Sequence, residues 1–173
     1  FVGRDRIAVA PWQRGTTPSP VVAKVFDVSS GDQVAVVTDP GGTARVVDID
    51  VSPDGTTLVA VHAESGQLQL YGLPSGKQLD AVRSHGGAVL DVAFSGDGRR
   101  VATGGVDGLA RTWDVTRGKL RESVTLRGHT KPVGSVSFDR TGIRLATLGQ
   151  PGARVWDVSP AGRGEVLTLP GPE

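Results

Sequence analysis

The sequence predicts an all-β chain assembled from repeated four-stranded units. Three observations predict it. An aromatic residue, usually followed by Asp, recurs every 42 to 45 residues. An apolar triplet with one fixed spacing keeps the same phase. No stretch of useful length carries helical periodicity.

The aromatic marks are Phe26-Asp27, Tyr71-Gly72, Trp113-Asp114 and Trp156-Asp157. Each is followed by a Gly-containing turn, at Ser30-Gly31, Ser75-Gly76, Arg117-Gly118 and Ala161-Gly162. The triplets are Val46, Ile49, Val51, then Val89, Val92, Phe94, then Val133, Val136, Phe138. Gaps of three and then two break strict alternation, as one extra residue in a β-bulge would. Turn signals come next, at Pro53-Asp54-Gly55, Gly96-Asp97-Gly98 and Arg140-Thr141-Gly142. Short β-prone runs follow at 58–61, 101–103 and 145–147. Each unit therefore reads as strands a to d. Strand a holds the triplet, strand b the short run, and strand c ends in the aromatic mark. Strand d runs through 78–82, 122–126 or 165–169. A unit this small cannot bury both of its faces alone and must stack on copies of itself.

Composition narrows the function. The 173 residues carry a formal net charge of +1, too balanced for a sequence-independent grip on nucleic acid. Zero Cys excludes a disulfide scaffold, thiol catalysis and Cys-ligated zinc. His62, His85 and His129 are the three histidines and leave little material for a metal site, so neither a metal nor another cofactor is expected. No run of 18 apolar residues offers a membrane span, and no signal-peptide pattern opens the chain, so the expected compartment is the cytoplasm. Fifteen Arg against four Lys, with abundant Gly, Ala, Val and Pro, point to a bacterial source. There is no Met, so the chain is expected to be a piece of something longer.

The co-registered residues resemble one family, the WD40-repeat β-propellers. Gly128-His129, Phe94-Ser95-Gly96-Asp97-Gly98, Val101-Ala102-Thr103, Asp107-Gly108 and the two Trp-Asp pairs carry the resemblance, which covers nearly the whole chain. It implies four blades: an incomplete one at 1–44 lacking strand a, then full blades at 45–88, 89–132 and 133–173. Phe1-Val2-Gly3-Arg4-Asp5 matches Phe94–Gly98, and the chain stops where the next Gly-His would stand. Such rings close with about seven blades. The remaining blades of a longer chain, or a second copy, are therefore expected to complete the ring. Bacterial regions of this composition resemble the C-terminal repeats of multidomain regulators built on a STAND ATPase module.

His85, Thr103, Asp107 and Trp113 look like a catalytic set. The resemblance instead implies a structural network, in which His on the d–a loop bonds Asp of the b–c turn and Thr links His to the indole. Blade four keeps His129, Thr147 and Trp156, but its turn Gly149-Gln150-Pro151-Gly152 has no Asp. Blade two offers Gly42, Val61, Ser65 and Tyr71, so its network is expected to be absent. A catalytic set would not occur as one intact copy among decayed ones.

The expected function is a non-catalytic protein-interaction platform. Two alternatives stand beside it: a purely structural spacer ring, and an enzyme with its site in the channel. The channel enzyme would have Asp48, Asp50 and Asp91 from strand a but no matching His or Lys. The b–c turn of the first blade is enlarged to Ala10–Pro20 and holds three Pro and an unclaimed Trp. The resemblance puts b–c turns and d–a loops on one face. The expected protein partner is therefore placed on Trp12, Arg14, Glu64, Val106, Lys131 and Gln150.

Overall fold

The computed structural model describes residues 6–10, 20–39, 45–162 and 164–171. These residues form four antiparallel sheets. Blade one contains β1 (Arg6–Val9), β2 (Val21–Asp27) and β3 (Gln33–Thr38). Blade two contains β4 (Val46–Val51), β5 (Thr57–His62), β6 (Gln67–Gly72) and β7 (Gln78–Arg83). Blade three contains β8 (Val89–Phe94), β9 (Arg100–Gly105), β10 (Ala110–Thr116) and β11 (Lys119–Leu126). Blade four contains β12 (Ser135–Phe138), β13 (Arg144–Gly149), β14 (Gly152–Asp157) and β15 (Gly164–Pro170). Neighbouring strands in each sheet are consecutive in sequence. The b–c turns and d–a loops therefore sit at one end of the blades, and the a–b and c–d turns at the other.

The apolar runs in strands a to c are long because each inner sheet is covered on both faces. Leu58 and Ala60 of β5 face blade one and pack with Val22, Val25 and Val37. Val59 and Val61 face the other way and meet Val89, Val92, Phe94 and Trp113 of blade three. A third core joins Ala102, Ala110 and Leu126 of blade three to Val136, Leu145 and Trp156 of blade four. Each fully buried Val or Leu contributes about 1.5–3 kcal/mol, so these shared cores dominate the stability of the stack. The first strands β4, β8 and β12 lie side by side, while the outer strands β7 and β11 meet sparingly. The sheets therefore fan out around an axis, as propeller blades do.

Polar staples tie blade to blade along that axis. Asp48 accepts the amide of Val92 (3.1 Å), Asp50 that of Phe94 (2.7 Å) and Asp91 that of Val136 (2.6 Å). These are the three carboxylates that a channel enzyme would have required; each is engaged by a backbone amide of the next blade. Burial, followed by the neighbouring Asp91 carboxyl, pushes Asp48 up to about 7. At the other end of the strands, Arg6 donates to the Gly55 carbonyl (2.9 Å), and Arg100 reaches Gly142 in the same manner.

The bulge expected in strand a occurs in blades two and three, between Val46 and Asp48 and between Val89 and Asp91. Blade four differs. Its strand starts at Ser135, after Val133, whose amide instead donates to the Gly105 carbonyl of blade three (3.0 Å). A second bulge, not legible in the spacing, faces every aromatic mark. The register shifts at Val25/Phe26, Leu70/Tyr71, Thr112/Trp113 and Val155/Trp156. The extra residues on strand d are Val34, Leu79, Ser123 and Val166.

Blade four leaves its outer face open: Leu148, Leu167 and Leu169 are each about half exposed. Leu167 and Leu169 repeat Val124 and Leu126 of blade three, which blade four covers. The 173-residue chain by itself should therefore bind a dye for apolar surface and self-associate. Replacing Leu167 and Leu169 together with Lys should abolish both without lowering the melting temperature. Light scattering and dye fluorescence check this.

The Asp48 carboxyl generates a pH prediction. Its folded value lies above the ordinary 3.8, so the folded state holds a proton that the unfolded chain releases. The stability it contributes is present below 3.8 and is lost as pH rises to about 7. His85 and His129, both lowered by burial, act with the opposite sign below 6.5. The comparison with Asp48→Asn isolates the carboxyl. Denaturant melts should show the advantage of wild type over variant shrinking as pH rises from about 4 to 7; parallel curves would refute the assignment.

Candidate functional site

The end that carries the b–c turns is organised by buried polar chains. In blade three the indole N–H of Trp113 donates to Thr103 Oγ1 (3.1 Å). Thr103 Oγ1 lies 2.9 Å from His85 Nε2, and His85 Nδ1 lies 2.9 Å from Asp107 Oδ1. The indole can only donate and the carboxylate can only accept, which fixes the direction of the chain. Thr103 O–H donates to Nε2, and Nδ1–H donates to Asp107. Burial holds His85 below its usual value, which keeps the ring neutral as this chain requires. Burial opposes ionisation of Asp107, but hydrogen bonds from His85 and Arg111 outweigh it and hold the carboxyl below its ordinary range. The arrangement fixes a loop against a turn. Its hydroxyl and imidazole are spent on one another in the interior.

Two contributors were not visible in the spacing. Arg111 donates to Asp107 Oδ2 (3.0 Å) and lies 3.7 Å from Glu122. Gly105 is needed for close approach, because a Cβ there would stand 2.3 Å from His85 Nδ1.

In blade four Trp156 donates to Thr147 Oγ1 (2.9 Å), which lies 2.7 Å from His129 Nε2. His129 Nδ1 is buried without a hydrogen-bond partner, where an Asp would stand in a longer turn. Gly149 instead pairs directly with Gly152, leaving a two-residue turn at Gln150-Pro151.

Blade two requires a correction. The register sets Leu58 opposite Tyr71, as Val101 is opposite Trp113. Ala60, not Val61, therefore occupies the position of Thr103. In place of the blade-three chain, which is not expected here, blade two has a different one: His62 Nε2 and the Tyr71 hydroxyl each lie 2.6 Å from Gln69 Oε1. All three side chains are buried, and Gln69 stands where blade three has Arg111. The acceptor comes from strand c instead of strand b, which the spacing of His, Thr and Trp does not reveal. Gly42 lies outside the described residues.

The positions placed on a partner-binding face fall as follows. Glu64, Val106 and Gln150 are exposed in the b–c turns of blades two, three and four, and Lys131 is exposed in a d–a loop. Lys131 and Gln150 line one shallow hollow of about 670 Å³ with Pro132 and Leu148. Val106 is held by its amide on the Ala88 carbonyl (3.0 Å). Trp12 and Arg14 lie outside the described residues. Among the described residues, no group of three or more His, Cys, Asp or Glu could hold a metal ion.

Asp107→Ala should leave His85 Nδ1–H unpaired and cost about 1–3 kcal/mol. Gln150→Ala, whose side chain serves no network, should cost less than about 0.5 kcal/mol. Denaturant melts of the two variants check the difference, and equal losses would contradict the network.

Residues 76–114 and 120–157 match the family model described as WD domain, G-beta repeat. Autophagy-related protein 16 of Arabidopsis thaliana is 36% identical over 126 residues, covering 73% of this chain and 24% of the relative. WD repeat-containing protein VIP3 of the same plant is 30% identical over 139 residues, covering 73% and 42%. Pre-mRNA-processing factor 19 of Oryza sativa subsp. japonica is 33% identical over 162 residues, covering 91% and 29%. The chain thus spans less than half the length of each of these relatives. The matched stretches, the four-stranded antiparallel sheets and their fanned stacking together make the chain a segment of a WD40 β-propeller.

Proposed function

We propose that this segment is part of a non-catalytic protein-interaction platform whose partner docks on the end carrying the b–c turns and d–a loops. One observation carries the reading. Val106, 41% exposed, sits between Gly105 and Asp107, both fixed by the buried His85 chain. An exposed apolar side chain on a turn anchored from beneath is pre-organised for contact and loses little entropy on binding. Gln150 and Lys131 extend the same surface onto blade four, beside the His129 chain. Trp12 and Arg14 complete the proposal, because Trp and Arg are favoured as binding hot spots. The relatives carry WD repeats in longer proteins, which agrees with a part in a larger assembly. The finer reading is a cytoplasmic sensor half of a bacterial STAND-type regulator. It rests on the Arg- and Gly-rich composition and the resemblance of the repeats.

An alanine scan of the complete protein against its captured partner tests the platform. Losses of about tenfold or more in affinity should concentrate on Trp12, Arg14, Glu64, Val106, Lys131 and Gln150. Losses confined to the a–b turns at Asp54 and Thr141 would place the partner at the other end, and no partner at all would favour a spacer ring.

A further inference from the structure

We propose that a cleft between blades three and four, at the a–b and c–d turn end, binds an extended acidic peptide. The peptide presents an apolar side chain next to a carboxylate. This site is separate from the platform at the opposite end, and its test does not involve that surface.

The repeat supplies its own control. Between blades two and three the outer gap is filled. Leu79, the bulged residue of β7, packs into the second core and against Gly118 of blade three. The next residue, Asp80, accepts the Leu120 amide (2.9 Å) and faces Lys119 Nζ (3.3 Å). An apolar–acidic dipeptide thus closes that gap. At the matching place in blade three the dipeptide is Ser123-Val124. Ser123 is too short to fill the space, and Val124 brings no carboxylate. A cleft of about 820 Å³ remains, within the size range of ligand sites.

The lining matches what is missing. Arg99, Arg100 and Arg117 border the cleft, with Ser123 and Ser159 as neutral hydroxyls and Val158 as an apolar wall. Arg100 is committed to the carbonyls of Val158 and Gly142 and to the Phe138 ring. Arg99 and Arg117 are exposed. Asp97 accepts from the Ser95 hydroxyl and the Arg99 amide, and its carboxylate also feels the Arg100 and Arg99 charges. Asp114 is the second acid on the rim. Among the described residues Arg117 is the only non-glycine with positive φ, at 52°. That is a position where Gly would be less strained, so the chain keeps a guanidinium there at some conformational cost. The outer edge of β11 is unpaired within its sheet, which suits an extended peptide added along it.

The test uses the full 173-residue chain and a labelled extended peptide carrying Leu-Asp pairs, read by fluorescence anisotropy. The Leu-Asp peptide should bind, and its Leu-Asn counterpart should bind about tenfold more weakly. Arg117→Gly should weaken binding by about fivefold or more while leaving the melting temperature unchanged or raised. Ser123→Leu should fill the cleft as Leu79 does and abolish binding without loss of stability. Lys77→Glu, a larger charge change at a residue that does not line the cleft, should leave binding intact. Undiminished binding by Arg117→Gly and Ser123→Leu overturns the proposal. So does failure of the Leu-Asp peptide to bind, or tighter binding of a single-stranded oligonucleotide.

Discussion

Val59 and Val61 point one way from β5, and Leu58 and Ala60 point the other, so the sheet of blade two is buried on both sides by its neighbours. The rest of the structure depends on this sharing of faces. A single four-stranded sheet of this size has too little apolar area to offset the entropy of ordering its chain. Stacked, each inner sheet contributes to two cores. The strands therefore lose the apolar–polar alternation of a half-exposed sheet and read as short continuous apolar runs. The open face of blade four has the same physical cause. Leu167 and Leu169 repeat residues of blade three that blade four covers.

Face-to-face packing sets contact without orientation, since apolar surfaces slide. Directional bonds supply the orientation. Asp48, Asp50 and Asp91 each hold an amide of the next blade at the axis, while Arg6 and Arg100 hold glycine carbonyls at the turns. The His85 chain locks a loop between blades to a turn within one. Buried polar groups are costly when unpaired, so each such chain disfavours alternative packings. Blade two reaches the same end with His62, Gln69 and Tyr71. A buried polar chain between strands b and c thus recurs in blades two, three and four, and its residue types change. The variation among blades also creates functional diversity. Substituting Ser123-Val124 for Leu79-Asp80 turns a filled gap into a polar cleft, with no change in the strand framework.

The sequence by itself determined the fold class, the phase of the strands and most of the blade-three network. Those features repeat at a fixed period, and the period survives even where individual residues drift. Trp113, Thr103, His85 and Asp107 could be linked because the resemblance to WD40 repeats implies a structural network at these positions. The tertiary structure alone decided what depends on register and on contacts between units. In a strand, a shift of one residue moves every side chain to the other face. The position of Ala60 opposite Gln69, and hence the second polar chain, became visible only once pairing was known. The bulge on strand d likewise leaves no mark in composition, although it sets Leu79 of blade two and Ser123 of blade three at matching places. Arg111, the aspartate staples and the cleft all bring together groups whose meeting is set by the angle between stacked sheets. That angle comes from packing, and no local pattern in the chain records it.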